Sequence, residues 1–316
     1  MENKMITDAA ERLRDNIQKV IVGKSDVIDL ALIAILCEGH LLLEDVPGTG
    51  KTTLAKTIAA SLGCSFRRVQ FTPDLLPSDL TGIYYFNQKA QEFEYRPGPI
   101  MAQILLADEI NRATPRTQSA LLEAMQERQV TVDIATHSLP RPFLVMATQN
   151  PIELEGTFPL PEAQLDRFLM KVALGYPDED NENTMLLRFE RDDPLETIQS
   201  VIGPDDILAM QTEIRTTRVE NSVRRYIVNV CRATRLHEEI ALGASPRATM
   251  ALYHTCQARA AIKGRDFVIP DDVKQMAPFV LTHRLVVNPQ IRLRGREPED
   301  VIRDIVNTVP VPVDSD

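Results

Sequence analysis

The run Glu44-Asp45-Val46-Pro47-Gly48-Thr49-Gly50-Lys51-Thr52-Thr53 has the composition of a loop that holds phosphates. A turn without bulky side chains lets consecutive backbone N–H groups point inward at an anion, and a helix N-terminus behind it adds partial positive charge. Pro47, Gly48, Thr49 and Gly50 would form the cradle. Lys51 could then reach the outer phosphates of a nucleotide, and Thr52, with Thr53 beside it, would offer a hydroxyl to Mg²⁺. Asp45 stands where the generic pattern has its first glycine, so backbone freedom falls to Gly48 and Gly50. The competing reading is an ordinary glycine turn with a chance Lys-Thr.

A second run argues against chance. Ile104-Leu105-Leu106-Ala107 is apolar and ends in Asp108-Glu109, which delivers two carboxylates to the C-terminal edge of a sheet, where open α/β folds bind ligands. Asp108 suits Mg²⁺, directly or through water. Glu109 is then left to polarise an attacking water as a general base. By itself a strand ending in Asp-Glu is more often solvated surface; behind a phosphate loop it reads as the metal and water site of a nucleotide hydrolase.

These groups need a strand before the loop and a helix after it. Leu41-Leu42-Leu43 supplies the strand, and Leu54, Ile58 and Leu62 recur at helical spacing. Further apolar runs at Phe66 to Phe71 and Phe143 to Ala147 complete the pattern of a parallel sheet covered on both faces, an α/β fold. Two helices precede it, one through Leu13, Ile17, Val20 and Ile21, the next through Ile28, Leu32 and Ile35 with Ser25 as its N-cap. Tyr84-Tyr85-Phe86 with Phe93-Glu94-Tyr95, and Val130 to Asp133 with Ser138-Leu139 around a tip at Ile134-Ala135-Thr136, read as inserted hairpins. The turn-rich stretch Gly175 to Asp180 ends the alternation, so the chain divides into an α/β core at residues 1–176 and a smaller all-helical domain at 177–316, with a frayed tail through Asp314-Ser315-Asp316.

With 316 residues, 44% of them hydrophobic, the chain can fill the cores of two domains. Its net charge of -10 argues against a surface built mainly to bind nucleic acid. The apolar stretch Ala31 to Cys37 stops well short of the ~20 residues that span a bilayer, and no signal segment opens the chain, so a cytoplasmic location without membrane insertion is expected. Cys37, Cys64, Cys231 and Cys256 form no C-x-x-C pair, and His237-Glu238-Glu239 is no H-E-x-x-H motif; neither points to zinc. Arg215, Arg218, Arg224, Arg225, Arg232 and Arg235 concentrate positive charge on the helical part, where a solvated helix face or a subunit contact is favoured over a nucleic-acid surface because no aromatic platform beyond Tyr226 is interleaved.

Taken together, these strings resemble the MoxR family of AAA+ ATPases. The resemblance is carried by Glu44 to Thr53, Ala107 to Ala113, Ala147-Thr148-Gln149-Asn150-Pro151, Glu155 to Phe168 and Gly243 to Ala248, in the family's order. It implies ATP as the nucleotide, an AAA+ αβα core with a helical lid, and hairpins that are the helix-2 and pre-sensor insertions. It implies that Asn150 is the first sensor, facing the γ-phosphate or water, and that Arg167 is an arginine finger acting on a neighbouring subunit's nucleotide. Arg247 would be the second sensor on the lid, while Val22 and Gly23 would line the adenine pocket. A finger implies a homo-oligomeric ring, taken as a hexamer, that remodels or assembles a client protein or inserts its metal or cofactor. A separate protein with a von Willebrand factor A domain is the expected partner. The alternative, a DNA-dependent ATPase of helicase type, is disfavoured because the tip of the second hairpin carries no Lys or Arg.

Overall fold

The structure, a computed structural model, describes residues 4–133, 135–150, 156–190 and 193–312. Ile134 of the hairpin tip, Pro151 and Glu155 of the motif strings, and the tail residues Asp314 to Asp316 lie outside the described residues.

Two helices lead the chain. α1 (Lys4–Gln18) buries Ile6, Ala9, Ala10, Leu13 and Ile17 along one stripe, as an amphipathic helix must. α2 (Ser25–Leu36) is buried at every position from Val27 to Leu36, so it forms an inner layer covered on all sides. Ser25 does not cap α2. Its hydroxyl accepts a hydrogen bond from Gln18 Nε2 at 2.7 Å, and no side chain caps the first turn.

The core alternates β1 (Leu41–Glu44), α3 (Lys51–Ser61), β2 (Phe66–Gln70), α4 (Pro77–Thr81), the hairpin β3 (Gly82–Asn87) with β4 (Glu92–Pro97), β5 (Ile104–Asp108), α5 (Pro115–Glu127), the hairpin β6 (Gln129–Val132) with β7 (Ala135–Ser138), β8 (Leu144–Gln149), α6 (Glu162–Leu165) and β9 (Met170–Val172). Five of these strands form one parallel sheet in the order β2-β5-β8-β1-β9. Alternate residues feed two apolar layers. Leu41, Leu43, Leu106 and Met146 pack with α1, α2 and α3, whereas Leu42, Leu105, Ala107 and Val145 pack with Phe71, Leu121 and Phe168 on the opposite face. β2 is the exception, an edge strand whose Arg67, Arg68 and Gln70 are exposed rather than covered. Because β1 lies between β8 and β9, the strand order reverses there, and the crevice at such a reversal is where open α/β sheets bind ligands.

The two hairpins touch each other, with the His137 ring stacked on Tyr95 at 3.9 Å between centroids. Ala135 and Thr136 pair with Val132 and Thr131, so the second hairpin is tighter than its sequence suggested and those two residues belong to a strand.

The remainder is helical apart from one antiparallel pair, β10 (Ile240–Leu242) with β11 (Val286–Val287). Its helices are α7 (Glu179–Arg188), α8 (Pro204–Glu213), α9 (Asn221–Leu236), α10 (Pro246–Ile262), α11 (Pro270–Leu281), α12 (Pro289–Arg292) and α13 (Pro298–Thr308). α8, α11 and α13 share a start built from proline at the first position and aspartate at the third. Proline needs no N–H partner there, and Asp206, Asp272 and Asp300 accept the N–H of Gly203, Ile269 and Glu297. The apolar layer on the α1–α2 face continues without a break into α8 to α11 and α13. Among the described residues no helix is long and apolar enough to cross a membrane.

Candidate functional site

β1 hands the chain to the glycine turn at the middle of the sheet's C-terminal edge. Gly48 and Gly50 have φ of 85° and 89°, left-handed values that disfavour any side chain although open space surrounds both. Lys51 opens α3, and its Nζ donates to the carbonyls of Asp45 at 3.0 Å and Val46 at 2.7 Å. Asp45 is no mere substitute for glycine. Its carboxylate, in a residue only 9% exposed, accepts from Val46 N at 2.8 Å and reaches across to Leu174 N at 2.9 Å and Gly175 N at 2.7 Å. The phosphate loop is thereby tied to the segment that leaves β9 for α7.

Asp108 ends β5 with both oxygens engaged. Thr148 donates to Oδ1 at 2.6 Å, and Arg68 donates to Oδ2 through Nε at 3.0 Å and Nη2 at 2.7 Å. Glu109 adopts a left-handed backbone with φ of 57°, which turns its side chain off the strand direction. Its Oε2 accepts from Gln70 Nε2 at 2.6 Å and faces Arg112 Nε at 3.0 Å, while its N–H donates to Thr148. Arg68 and Gln70 sit on the same side of the edge strand, so one strand face holds both acidic groups. Neither was found from the sequence, because only the parallel register of β2 on β5 brings them there.

A cleft of about 420 Å³ gathers Asp45, Pro47 to Thr53, Arg68, Gln70, Asp108, Glu109 and Thr148 to Asn150. A second of about 460 Å³ shares Gly48, Thr49, Gly50 and Thr53 with it and is walled by Val20, Val22, Tyr176, Met185 and Phe189. One is polar and charged, the other largely apolar, and the glycine turn separates them. That arrangement suits a triphosphate on one side and a flat base on the other. The oxygen donors of Thr52 and Asp108 suit Mg²⁺, a hard cation that keeps several waters and takes phosphate oxygens as further ligands. To admit it, Arg68 must leave Asp108, and a side chain 48% exposed is free to swing away.

Val22 lines the apolar cleft, and Gly23 is not among its walls. Gly23 has φ of 70°, and a Cβ on it would lie 2.3 Å from the side-chain amide of Asn181, so it is small to let α7 approach. Met185 and Phe189 were missed because an exposed helix with no buried residue gives no periodic signal, and Tyr176 because it lies in the turn before that helix.

Arg167 and Arg247 line neither cleft. Arg167 borders a different depression with Glu123, Glu127, Gln129 and Gln164, and its side chain makes no hydrogen bond or ion pair among the described residues. Asp166 does not pair with it; its carboxylate is taken by Arg284 at 2.6 Å and by the hydroxyl of Ser245, the N-cap of α10, at 3.1 Å. Arg247 is exposed two residues further on. Both arginines thus flank the same contact between core and helical part.

The other arginines of the helical part are partly absorbed by local structure. Arg215 pairs with Glu38, Arg218 with Glu220, and Arg235 donates to Ala244 O. His40 and His283 are buried, and burial pushes the first down to about 3 and the second well below its ordinary value, so both are neutral. Burial pushes the thiol of Cys37 up to about 12, which makes it inert.

Residues 40–170 match the ATPase family associated with various cellular activities (AAA), and residues 232–305 match an AAA lid domain. The chain is 52% identical over 299 residues to the uncharacterized protein YeaC of Bacillus subtilis, spanning 95% of this chain and 93% of that one. It is 42% identical over 311 residues to Chaperone MoxR1 of Mycobacterium tuberculosis, spanning 96% and 82%. The crystal structure of a candidate ATPase from Cytophaga hutchinsonii matches with a TM-score of 0.92 at 39% identity, covering 99% of this chain and 97% of that chain. Fold and motifs together define a nucleotide-binding AAA+ core with its lid. The chain belongs to the MoxR family of AAA+ ATPases.

Proposed function

We propose that this chain binds ATP with Mg²⁺ and hydrolyses it as one subunit of a ring, a hexamer, whose cycle shifts lid against core and remodels a client protein. The observation that carries the reading is the convergence of Lys51, Thr52, Asp108, Glu109 and Asn150 on one cleft beside an apolar pocket. Thr52 and Asp108 would hold Mg²⁺, which would neutralise phosphate charge. Lys51 exchanges its loop carbonyls for the β and γ phosphates. Glu109, once released from Gln70, accepts a proton from the attacking water, and Asn150 orients that water or the γ-phosphate. Val22, Tyr176 and Phe189 enclose the adenine. Gly23 contributes by letting α7 close.

Arg167 and Arg247 complete a neighbour's site. Their absence from the walls of both clefts of their own chain, and the lack of any bond to the head of Arg167 among the described residues, support that assignment. The division at residues 176 and 177 follows the Asp45 tether, since the chain beyond it carries the wall of the adenine pocket. Chaperone MoxR1 is named for the class of work proposed, and a separate von Willebrand factor A domain protein is the proposed partner, to be sought by co-purification from the native host.

Nucleotide binding and phosphate release together test the reading. The wild type binds MgATP and turns it over. Lys51→Ala loses affinity by at least about tenfold, roughly 1.4 kcal/mol. Glu109→Gln keeps its affinity and loses turnover by about 10²-fold or more. Unchanged affinity in Lys51→Ala, or normal turnover in Glu109→Gln, rejects the assignment.

A further inference from the structure

The chain around Arg167 is held by the lid. Arg284, only 3% exposed at its side chain, donates through Nε to Asp166 Oδ1 at 2.6 Å and through Nη2 to Phe168 O at 2.6 Å and Asp166 O at 3.3 Å. Its Nη1 donates to Leu169 O at 3.0 Å and to Val280 O of α11, the helix just before it. Nε2 of His283 donates to Phe168 O at 3.1 Å, and Ser245 Oγ donates to Asp166 Oδ2 at 3.1 Å. Ser245, His283 and Arg284 all fall in the region that matches an AAA lid domain, whereas Asp166 to Leu169 lie at the end of the region that matches the ATPase core.

The contrast with Arg167 is the informative part. The residues on both sides of it are fixed by three lid side chains, yet its own guanidinium is bonded to nothing among the described residues. A buried guanidinium spends its five donors in a planar fork, so it transmits the orientation of the turn that carries it to whatever it holds. If α11 and the turn after it move, the segment carrying Arg167 must move or five hydrogen bonds must break.

We propose that Arg284 is a positioning residue for Arg167, coupling the lid of one subunit to the arginine that the same subunit offers to its neighbour. The inference rests on the proposed role of Arg167 as a finger acting between subunits. Its consequence is a route by which the nucleotide under one lid sets the hydrolysis rate next door, an interaction between two sites through one rigid element.

The test uses Arg284→Lys, which keeps the charge but loses the fork, and Asp166→Asn, which removes the charged partner at constant shape. Both should bind MgATP like the wild type and, alone, lose turnover by at least about tenfold, because a misplaced finger forfeits part of a contribution of roughly 10³ to 10⁵. Mixed in equal amounts with Glu109→Gln, each should regain activity: the partner lends a correctly held Arg167 to a site whose Lys51 and Glu109 are intact. The double variant should be no worse than either single one.

A purely structural role predicts otherwise, since a distorted subunit carries a damaged site of its own and the mixture stays inactive. That result overturns the proposal, as does normal turnover in both single variants, or loss of MgATP binding in both. A mixture of Arg167→Ala with Glu109→Gln separates the two levels. If that control regains activity and the Arg284→Lys mixture does not, the positioning role alone is wrong; if the control stays inactive, the finger role fails and the proposal with it.

Discussion

His40 ties three elements together with one neutral ring. Nε2 donates to Met125 O of α5 at 3.2 Å, Nδ1 accepts from Val145 N of β8 at 3.0 Å, and its own carbonyl takes the N–H of Leu169. Its value in the fold is about 3 against 6.5 ordinarily, depressed first by burial and then by Arg128. The native state therefore refuses a proton that the unfolded chain takes up as pH falls below 6.5, and stability declines by up to roughly 1.4 kcal/mol per pH unit from this residue. His40→Gln should be less stable at neutral pH by about 1 to 3 kcal/mol, through its unpaired buried partners. The deficit should shrink on acidification, as urea midpoints at neutral and mildly acid pH would show. A deficit independent of pH would mean that the ring is not held neutral. Lys51, Thr52, Asp108 and Glu109 were legible in the sequence because each sits in a contiguous motif whose strand or helix is equally local. Arg68 and Gln70 were not, since a strand does not announce its neighbour, and Arg284 was hidden for the same reason over a longer separation.

Among elements, the glycine turn and the segment after β9 act as one unit through Asp45. Sequence reading noted the missing glycine there but could not see that a carboxylate is required, because its partners lie 129 and 130 residues away. Asp45→Asn keeps the shape but has one acceptor oxygen in place of two, so either Val46 N or the N–H pair of Leu174 and Gly175 must face an NH₂ group, and the tie between loop and segment is weakened. Affinity for MgATP should fall by about tenfold or more, while affinity for inorganic tripolyphosphate falls less, because the loosened segment carries Tyr176 and the wall of the base pocket. Equal losses for both ligands would confine Asp45 to the loop alone. Helix starts with proline and a following aspartate, as in α8, α11 and α13, are local signals and could be read directly. The cap at Ser25 failed as a reading because Gln18 competes for its hydroxyl, and the edge position of β2 could not be known before strand order.

For the whole molecule, the fold follows from apolar alternation that fills both faces of the sheet, with α2 as an inner layer joining the core to the helices of the lid. Class and order of elements were therefore readable, whereas the contact between the lid and the segment carrying Arg167 is a property of the packed chain alone. One nucleotide cleft opens at the sheet edge, and the two arginines expected to serve it sit elsewhere, on either side of the Asp166 to Ser245 contact. On the proposed assignment of Arg167 and Arg247, a single chain so arranged is incomplete. The most direct measurement is steady-state ATP hydrolysis against protein concentration, for the wild type, for Arg167→Ala, for Glu109→Gln and for an equal mixture of the two variants. The account predicts specific activity that rises with concentration, two variants inactive alone, and activity regained on mixing. Concentration-independent turnover that survives Arg167→Ala would contradict it, and would mean that the site is complete within one chain.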